Sequence, residues 1–199
     1  NSEKAAYIPT PDIKEKTELR RVYGIPYNSC VFVFGGNLGL SQGIDEMINE
    51  IKAAKIIDNV FFMIIGSGTE YEKIKNEFDA FSSNYIKVIP SIPRDEFDRL
   101  LACCDVGMLF LSPNYTVPNV PSRLVSYLKV GLPILAAIDR TSDVGSIIEE
   151  AKCGISIING DIPAFLKAIE SLTCLKTREA MSINSRRLFL SRYSTSYCY

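Results

Sequence analysis

Six short apolar runs, separated by stretches of helical period, constrain this chain more than any other feature. The runs fall at residues 30–35, 60–66, 86–89, 106–111, 133–138 and 154–158. Between them Ile44, Met47, Ile48 and Ile51 share one helical face, as do Ile74, Phe78 and Phe81, then Phe97, Leu100, Leu101 and Cys104. Ile162, Phe165, Leu166 and Ile169 repeat the pattern after the last run. Strands apolar on both faces need covering twice, and single helices between them supply crossovers for parallel neighbours. The expected fold class is α/β, a doubly wound parallel sheet of Rossmann-like form.

The flanks read differently. Pro9, Pro11 and Pro26 bracket a charged helix, DIKEKTELRRVYG, with Gly24 as its C′ stop. Residues 1–29 are therefore expected to be an inter-domain linker and short lead-in helix, 30–175 the Rossmann-like ligand-binding domain, and 176–199 a truncated C-terminal helix. Arg186 and Arg187 on that helix are expected to be solvated on the surface. The chain opens at Asn1 and closes on SRYSTSYCY without a capping signal, so it reads as a domain cut from a longer protein.

Composition narrows the function. A net charge of −1 with no basic run argues against a nucleic-acid partner. The longest apolar runs, VFFMII, VGMLFL and LPILAAI, are too short to span a bilayer. Six cysteines without a CxxC read as reduced, mostly buried thiols of a cytoplasmic protein, not as a disulfide framework or zinc site. There is no histidine, which removes the usual proton shuttle and the commonest metal ligand. Any catalysis must rest on carboxylates, cations, backbone dipoles or the substrate itself, and no metal is expected.

In an open parallel sheet, ligands bind outside the carboxyl ends of the strands. The loops expected there (residues 35–43, 66–70, 90–96, 112–123, 139–143 and 159–161) are longer and richer in Gly, Ser, Asn, Pro and Arg than those of the opposite edge. The first, in VFVFGGNLGLSQG, joins a strand to a helix through glycines, an arrangement suited to a phosphate. Yet GGNLGL lacks GxGxxG spacing, the second strand ends in Gly66-Ser67-Gly68 where a dinucleotide enzyme places an acid, and no GK[ST] follows. Gly35, Gly36 and Gly39 serve either a phosphate or the turn itself, and Gly66 and Gly68 either a ligand or close helix packing. Arg123, after Pro121 and Ser122 at an expected helix start, is the most telling cation. Arg94 and Arg140 read more as solvated loop charges.

These motifs together resemble the C-terminal, donor-binding half of a GT-B glycosyltransferase, specifically glycosyltransferase family 4. The resemblance covers roughly residues 18–193. It rests on ELRRVYGIP before the first strand, on GGNLGLSQG, on FFMIIGSGTEYEKIK, on IKVIPSIPRDEFDRLLACCDVGMLFL, and on VPSRLVSYLKVGLPILA. The last is similar to the PSK-type signature of bacterial envelope-polysaccharide members. The resemblance implies that a nucleotide-diphosphate sugar, most often a UDP-sugar, lies along this rim. Backbone near Ile89 and Pro90 would meet the base, Gly36 and Asn37 the diphosphate, and Arg123 would match the family's Lys or Arg. Gly66, Gly68 and Ser122 would complete the contacts. Such enzymes retain configuration, need no metal, and stabilise the leaving diphosphate with cations and helix dipoles. The implied partners are an N-terminal acceptor-binding domain and a glycan or lipid-linked acceptor. The implied place is the cytoplasm, with peripheral association of the full-length enzyme at the inner membrane left open.

Two positions depart from the family pattern. A Glu that contacts the donor in many members is Ser126 here, with Pro118 eight residues earlier, and a Lys before the first helix's glycine is Gln42. A nucleotide-binding GT-B-like domain without transferase activity therefore stays open. So does half of a nucleotide-sugar epimerase, although that chemistry wants acid–base residues. An FMN binder would want aromatics at the rim, where Tyr115 stands alone. The chain by itself is expected to bind donor weakly and to transfer nothing.

Overall fold

The computed structural model describes residues 8–9, 11–81, 84–112, 121–139 and 142–194; Tyr115, Pro118, Arg140 and Cys198 lie outside them. Strands β1 (Cys30–Asn37), β2 (Val60–Ser67), β3 (Ile86–Pro90), β4 (Val106–Phe110), β5 (Ile134–Ile138) and β6 (Gly154–Ile158) form one sheet in the order β3-β2-β1-β4-β5-β6. Every pairing is parallel. Helices α2 (Ile44–Ala53), α3 (Tyr71–Ala80), α4 (Arg94–Cys103), α5 (Ser122–Val130), α6 (Asp143–Glu150) and α7 (Ile162–Thr173) each follow one strand. Helix α1 (Ile13–Val22) precedes the sheet and α8 (Leu175–Leu188) follows it.

The period of two along the strands sorts side chains into two cores. Val31, Val33, Met63 and Leu109 point to one face and pack with Leu100, Leu124, Tyr127 and Leu188. Phe32, Phe34, Phe62, Ile64 and Phe110 point to the other and pack with Met47, Ile51, Ile74, Phe165 and Ile169. A fully buried side chain of this size contributes about 1.5–3 kcal/mol, so both faces hold the sheet.

Several expected boundaries move, each for a local reason. β1 continues beyond residue 35 because Gly36 pairs with Gly66 and Asn37 with Ser67. β4 stops at Phe110 and β5 starts at Ile134, one residue inside the apolar runs. β3 and β6 are the sheet edges and stay half-buried, unlike the four strands between them. The last helix begins at Leu175, and only half of its basic pair is solvated as expected. Arg187 is exposed, whereas half-buried Arg186 crosses Gly131, with Nε 2.6 Å from where a Cβ there would sit. Gly24, at φ +66°, follows the end of α1 as the C′ residue. Cys30, Cys103, Cys104 and Cys153 are free and buried, and Cys174 is free and exposed. No helix of the described residues is long and apolar enough to cross a membrane.

Candidate functional site at the carboxyl edge

Strands β2 and β3 lie to one side of β1 and β4 to the other, so the winding reverses between β1 and β4. Such a reversal opens a crevice at the carboxyl ends of the strands. Register places Gly36 beside Gly66 and Gly66 beside Pro90 at this edge, and helices α2 to α7 all begin from it.

Capping divides the rim. Ser142 accepts from the Val144 N–H at the start of α6, and Asp161 from the Ala164 N–H in α7. Helices α2, α3, α4 and α5 have no side-chain cap, and the residues before α4 and α5 are Pro93 and Pro121, whose side chains carry no acceptor. The first turns of α2, α3 and α4 hold Asp45 and Glu46, Glu72, and Asp95 and Glu96, which answer the positive end of each dipole. The first turn of α5 holds no acid and carries Arg123 instead. Among the described rim helices, α5 alone keeps an uncapped N-terminus without a neighbouring carboxylate in its first turn.

Arg123 is held from three directions. Its Nη2 donates to the Asn37 carbonyl at 3.0 Å, its guanidinium carbon lies 4.2 Å from the centre of the Phe34 ring, and its tip lies over Gly36, with Nη2 3.6 Å from where a Cβ there would stand. Gly36 has φ +113°, a conformation that suits glycine. Nη1 is buried without a hydrogen-bond partner. Burial draws the Arg123 pKa below its ordinary value, but a guanidinium stays charged at neutral pH. A fixed positive group with an unspent N–H, beside free helix N–H groups and a bare glycine backbone, is fitted to an anion.

The supports of this group were not apparent from the sequence. Buried Tyr127 shares the α5 face of Arg123, four residues on; its hydroxyl accepts from Gly35 N–H at 3.1 Å and donates to the Val33 carbonyl at 3.3 Å. Burial pushes its phenol up to about 12, so it serves as a neutral strut. Phe97 of α4 fills the space a Cβ on Gly35 would take. The i, i+4 spacing of Arg123 and Tyr127 was the available signal; Phe34 reads as ordinary core.

The remaining expected residues fall into groups. Asn37 and Pro90 are exposed on the rim, with half-buried Ile89 behind, packed against the first core. The Cβ space of Gly66 is taken by the Gly36 carbonyl, and that of Gly68 by the Leu38 carbonyl, so both glycines let β1 and its loop approach. Half-buried Gln42 donates to the Ser41 hydroxyl at 2.9 Å. Ser122 is exposed at the start of α5. Ser126 is buried, donates to the Ser122 carbonyl at 3.4 Å and accepts from Arg94 at 3.3 Å. Arg94 also pairs with Asp98, which holds Lys129 as well. Arg94 is solvated as expected, but it opens α4 instead of lying in a loop and reaches two neighbours.

A cleft of about 600 Å³ opens at the opposite, amino edge, lined by Lys16, Arg20, Asp105 and Arg178 among others. Its cations are committed to the chain itself. Lys16 and Arg20 pair with Asp105 at 3.0 and 2.6 Å, Arg20 also donates to the Cys103 and Ser29 carbonyls, and Arg178 to those of Leu172 and Thr173. Burial pushes the Asp105 carboxyl up, but Lys16, Arg20 and the Val31 N–H outweigh it and hold the pKa below its ordinary value. This edge is a clasp that fastens α1 to the sheet.

Comparison with known proteins completes the picture. The chain is 27% identical over 142 residues to the probable glycosyltransferase WbjE of Pseudomonas aeruginosa, which covers 71% of this chain and 35% of that protein. It spans about a third of that curated relative's length. Its fold is similar to the C-terminal domain of the group 1 glycosyl transferase LpcC from Francisella tularensis, at TM-score 0.75 and 14% identity over 96% of this chain and 97% of that one. It is also similar to Anabaena HepE, solved with UDP and glucose, at TM-score 0.72 and 18% identity over 89% of this chain and 48% of that one. The six-stranded order is that of half a GT-B glycosyltransferase. The family model of glycosyl transferases group 1 matches residues 15–188, and the chain belongs to that family.

Proposed function

We propose that this chain is the donor-binding half of a retaining glycosyltransferase that uses a UDP-sugar in the synthesis of a cell-surface polysaccharide. The observation that carries the reading is Arg123, whose buried, unspent Nη1 stands beside the uncapped start of α5 and the exposed backbone of Gly36. A diphosphate laid there would meet the guanidinium and the free N–H groups of α5, and the same contacts would strengthen as charge builds on the departing diphosphate. Ile89 and Pro90 at the end of β3 are proposed to meet the base, with Gly36, Asn37, Gln42, Gly66, Gly68, Ser122 and Ser126 around the donor. The donor half is proposed to occupy residues 30–175. The acceptor side belongs to a separate N-terminal domain, so the chain alone should bind the donor weakly and transfer nothing. UDP bound by HepE supports the choice of nucleotide.

A titration with UDP, GDP and NAD, followed by calorimetry in wild type and Arg123→Ala, tests the reading. Saturable UDP binding, weakened at least about tenfold in the variant, is expected; tenfold corresponds to about 1.4 kcal/mol. Equal affinity in the folded variant would remove Arg123 from the site. A second reading, a nucleotide-binding domain without transfer, draws on uncharged Gln42 and Ser126. It predicts UDP binding by the full-length protein with no sugar transferred to any glycan acceptor.

A further inference from the structure

Behind the glycine loop lies a group of polar atoms that the proposed donor site does not use. Glu50 of α2 is fully buried, 0% exposed. Its Oε1 accepts from the Gly160 N–H at 2.8 Å, and its Oε2 is buried with no hydrogen-bond partner. Asn159, next to Gly160 at the end of β6, is 6% exposed and likewise keeps a buried, unpartnered Oδ1. Its Nδ2 donates to the Leu111 carbonyl at 2.9 Å and occupies the place a Cβ on Gly43 would need. Gly43, at φ +61°, is the N-cap of α2 and ends the loop of residues 39–43. The same loop is tied to β4 by Ser112 N–H donating to the Ser41 carbonyl at 2.9 Å. A continuous series of contacts thus runs from Glu50 through Gly160 and Asn159 to Gly43.

An ionised carboxylate at Glu50 would have one N–H partner and no exposure to bulk solvent, an expensive arrangement. The charged groups acting on it are Glu46, one turn earlier on α2, and Asp161, after Gly160, and both repel a negative charge. From α3, the neighbouring charges are spent elsewhere, Lys73 on Asp45 and Glu77 on Lys52. α7 presents the apolar face of Phe165, Ala168, Ile169 and Leu172 to this core. No three described carboxylates or thiols are grouped to hold a metal ion. A proton on Oε2 is the occupant this geometry favours, since it cancels the buried charge on an oxygen that no donor reaches. Burial, opposed by the Gly160 N–H and reinforced by Glu46 and Asp161, pushes the carboxyl up to about 7, so the proton leaves within the physiological range.

We infer that protonated Glu50 is a latch holding Gly160 and Asn159 against Gly43, so that the glycine loop loosens as the solution becomes alkaline. Combined with the proposed donor site, on which this consequence rests, nucleotide-sugar affinity falls with the same midpoint. Loss of the proton leaves a buried charge that must reach water, and the route open to it displaces the Gly160 segment. Asn159 then loses its seat under Gly43, and residues 39–43 lose their support.

The test is an NMR titration of the Gly43 and Gly160 amides from pH 5.5 to 8.5, in wild type and Glu50→Gln, with UDP-glucose affinity at pH 6 and 8. UDP-glucose is chosen because its diphosphate diester does not titrate in this range. Both wild-type amides should share a midpoint near 7, and neither should titrate in the variant. Affinity should fall at least threefold from pH 6 to 8 in wild type and stay level in Glu50→Gln. Glu46→Gln, which removes a repelling charge, should move the wild-type midpoint to lower pH and gives a readout if Glu50→Gln folds poorly. A titration that persists in Glu50→Gln, or a Gly43 amide that stays still while Gly160 moves, overturns the latch. If UDP-glucose binds at neither pH, the donor reading fails while the two amides still decide the latch.

Discussion

The two edges of the sheet handle charge in opposite ways. At the amino edge, Lys16, Arg20 and Arg178 face a cleft, yet each spends its donors on Asp105 or on backbone carbonyls. At the carboxyl edge, Arg123 spends Nη2 on Asn37 and leaves Nη1 buried without a partner. A cleft marks the first edge and unspent hydrogen-bonding capacity the second. Capacity is the better guide, because a buried donor without a partner costs free energy that only a ligand or a solvent molecule recovers.

The largest effect that would break this comparison belongs to the amino edge. Arg20→Ala removes a buried cation from Asp105 and from the Cys103 and Ser29 carbonyls. Loss of about 3–5 kcal/mol of stability is expected, as for other buried pairs broken on one side. Urea unfolding measures it, and calorimetry on the folded fraction should show UDP affinity unchanged. A weakened affinity would mean that the amino edge takes part in binding.

The pH dependence of stability separates the edges next, with opposite signs. Asp105 has a folded pKa below its ordinary 3.8, so its contribution is present above that value and is lost as pH falls through the lowered one. Glu50 is raised from 4.5 to about 7, so its contribution is fully present below 4.5 and is lost as pH rises through 7. That upper-limb loss amounts to about 3 kcal/mol. Urea unfolding at pH 4.5 and 8 should show it in wild type but not in Glu50→Gln. An equal slope in both proteins would assign it to another group.

The smallest effect concerns the thiols. Cys174 is exposed at the N-cap of α8, where the Thr177 N–H and hydroxyl lower its pKa. Burial pushes Cys30 up to about 12 and Cys103 and Cys153 to about 11, and raises Cys104 as well. Among these five, iodoacetamide followed by mass spectrometry should find Cys174 alkylated first in the folded chain, with stability almost unchanged. Alkylation of a buried thiol at the same rate would show that its part of the core opens readily.

How far the sequence reached follows from what is local. Apolar runs such as 60–66, with the Met47 and Ile51 face between runs, determined the parallel sheet and its two covered sides, because periodicities of 2 and 3.6 are properties of neighbouring residues. The same order placed the rich loops on one rim and marked Arg123 there. Sequence spacing put Arg123 and Tyr127 on one helical face, but carried no sign that Arg123 would lie on Phe34, that Tyr127 would bridge Gly35 and Val33, or that Arg94 would reach Ser126. Nor did it show that Arg186 would cross Gly131, or that Glu50 would meet Gly160 from 110 residues away. Those outcomes depend on which strands become neighbours and how closely helices pack on them. Only the tertiary structure decides which polar atoms find partners and which remain unpaired.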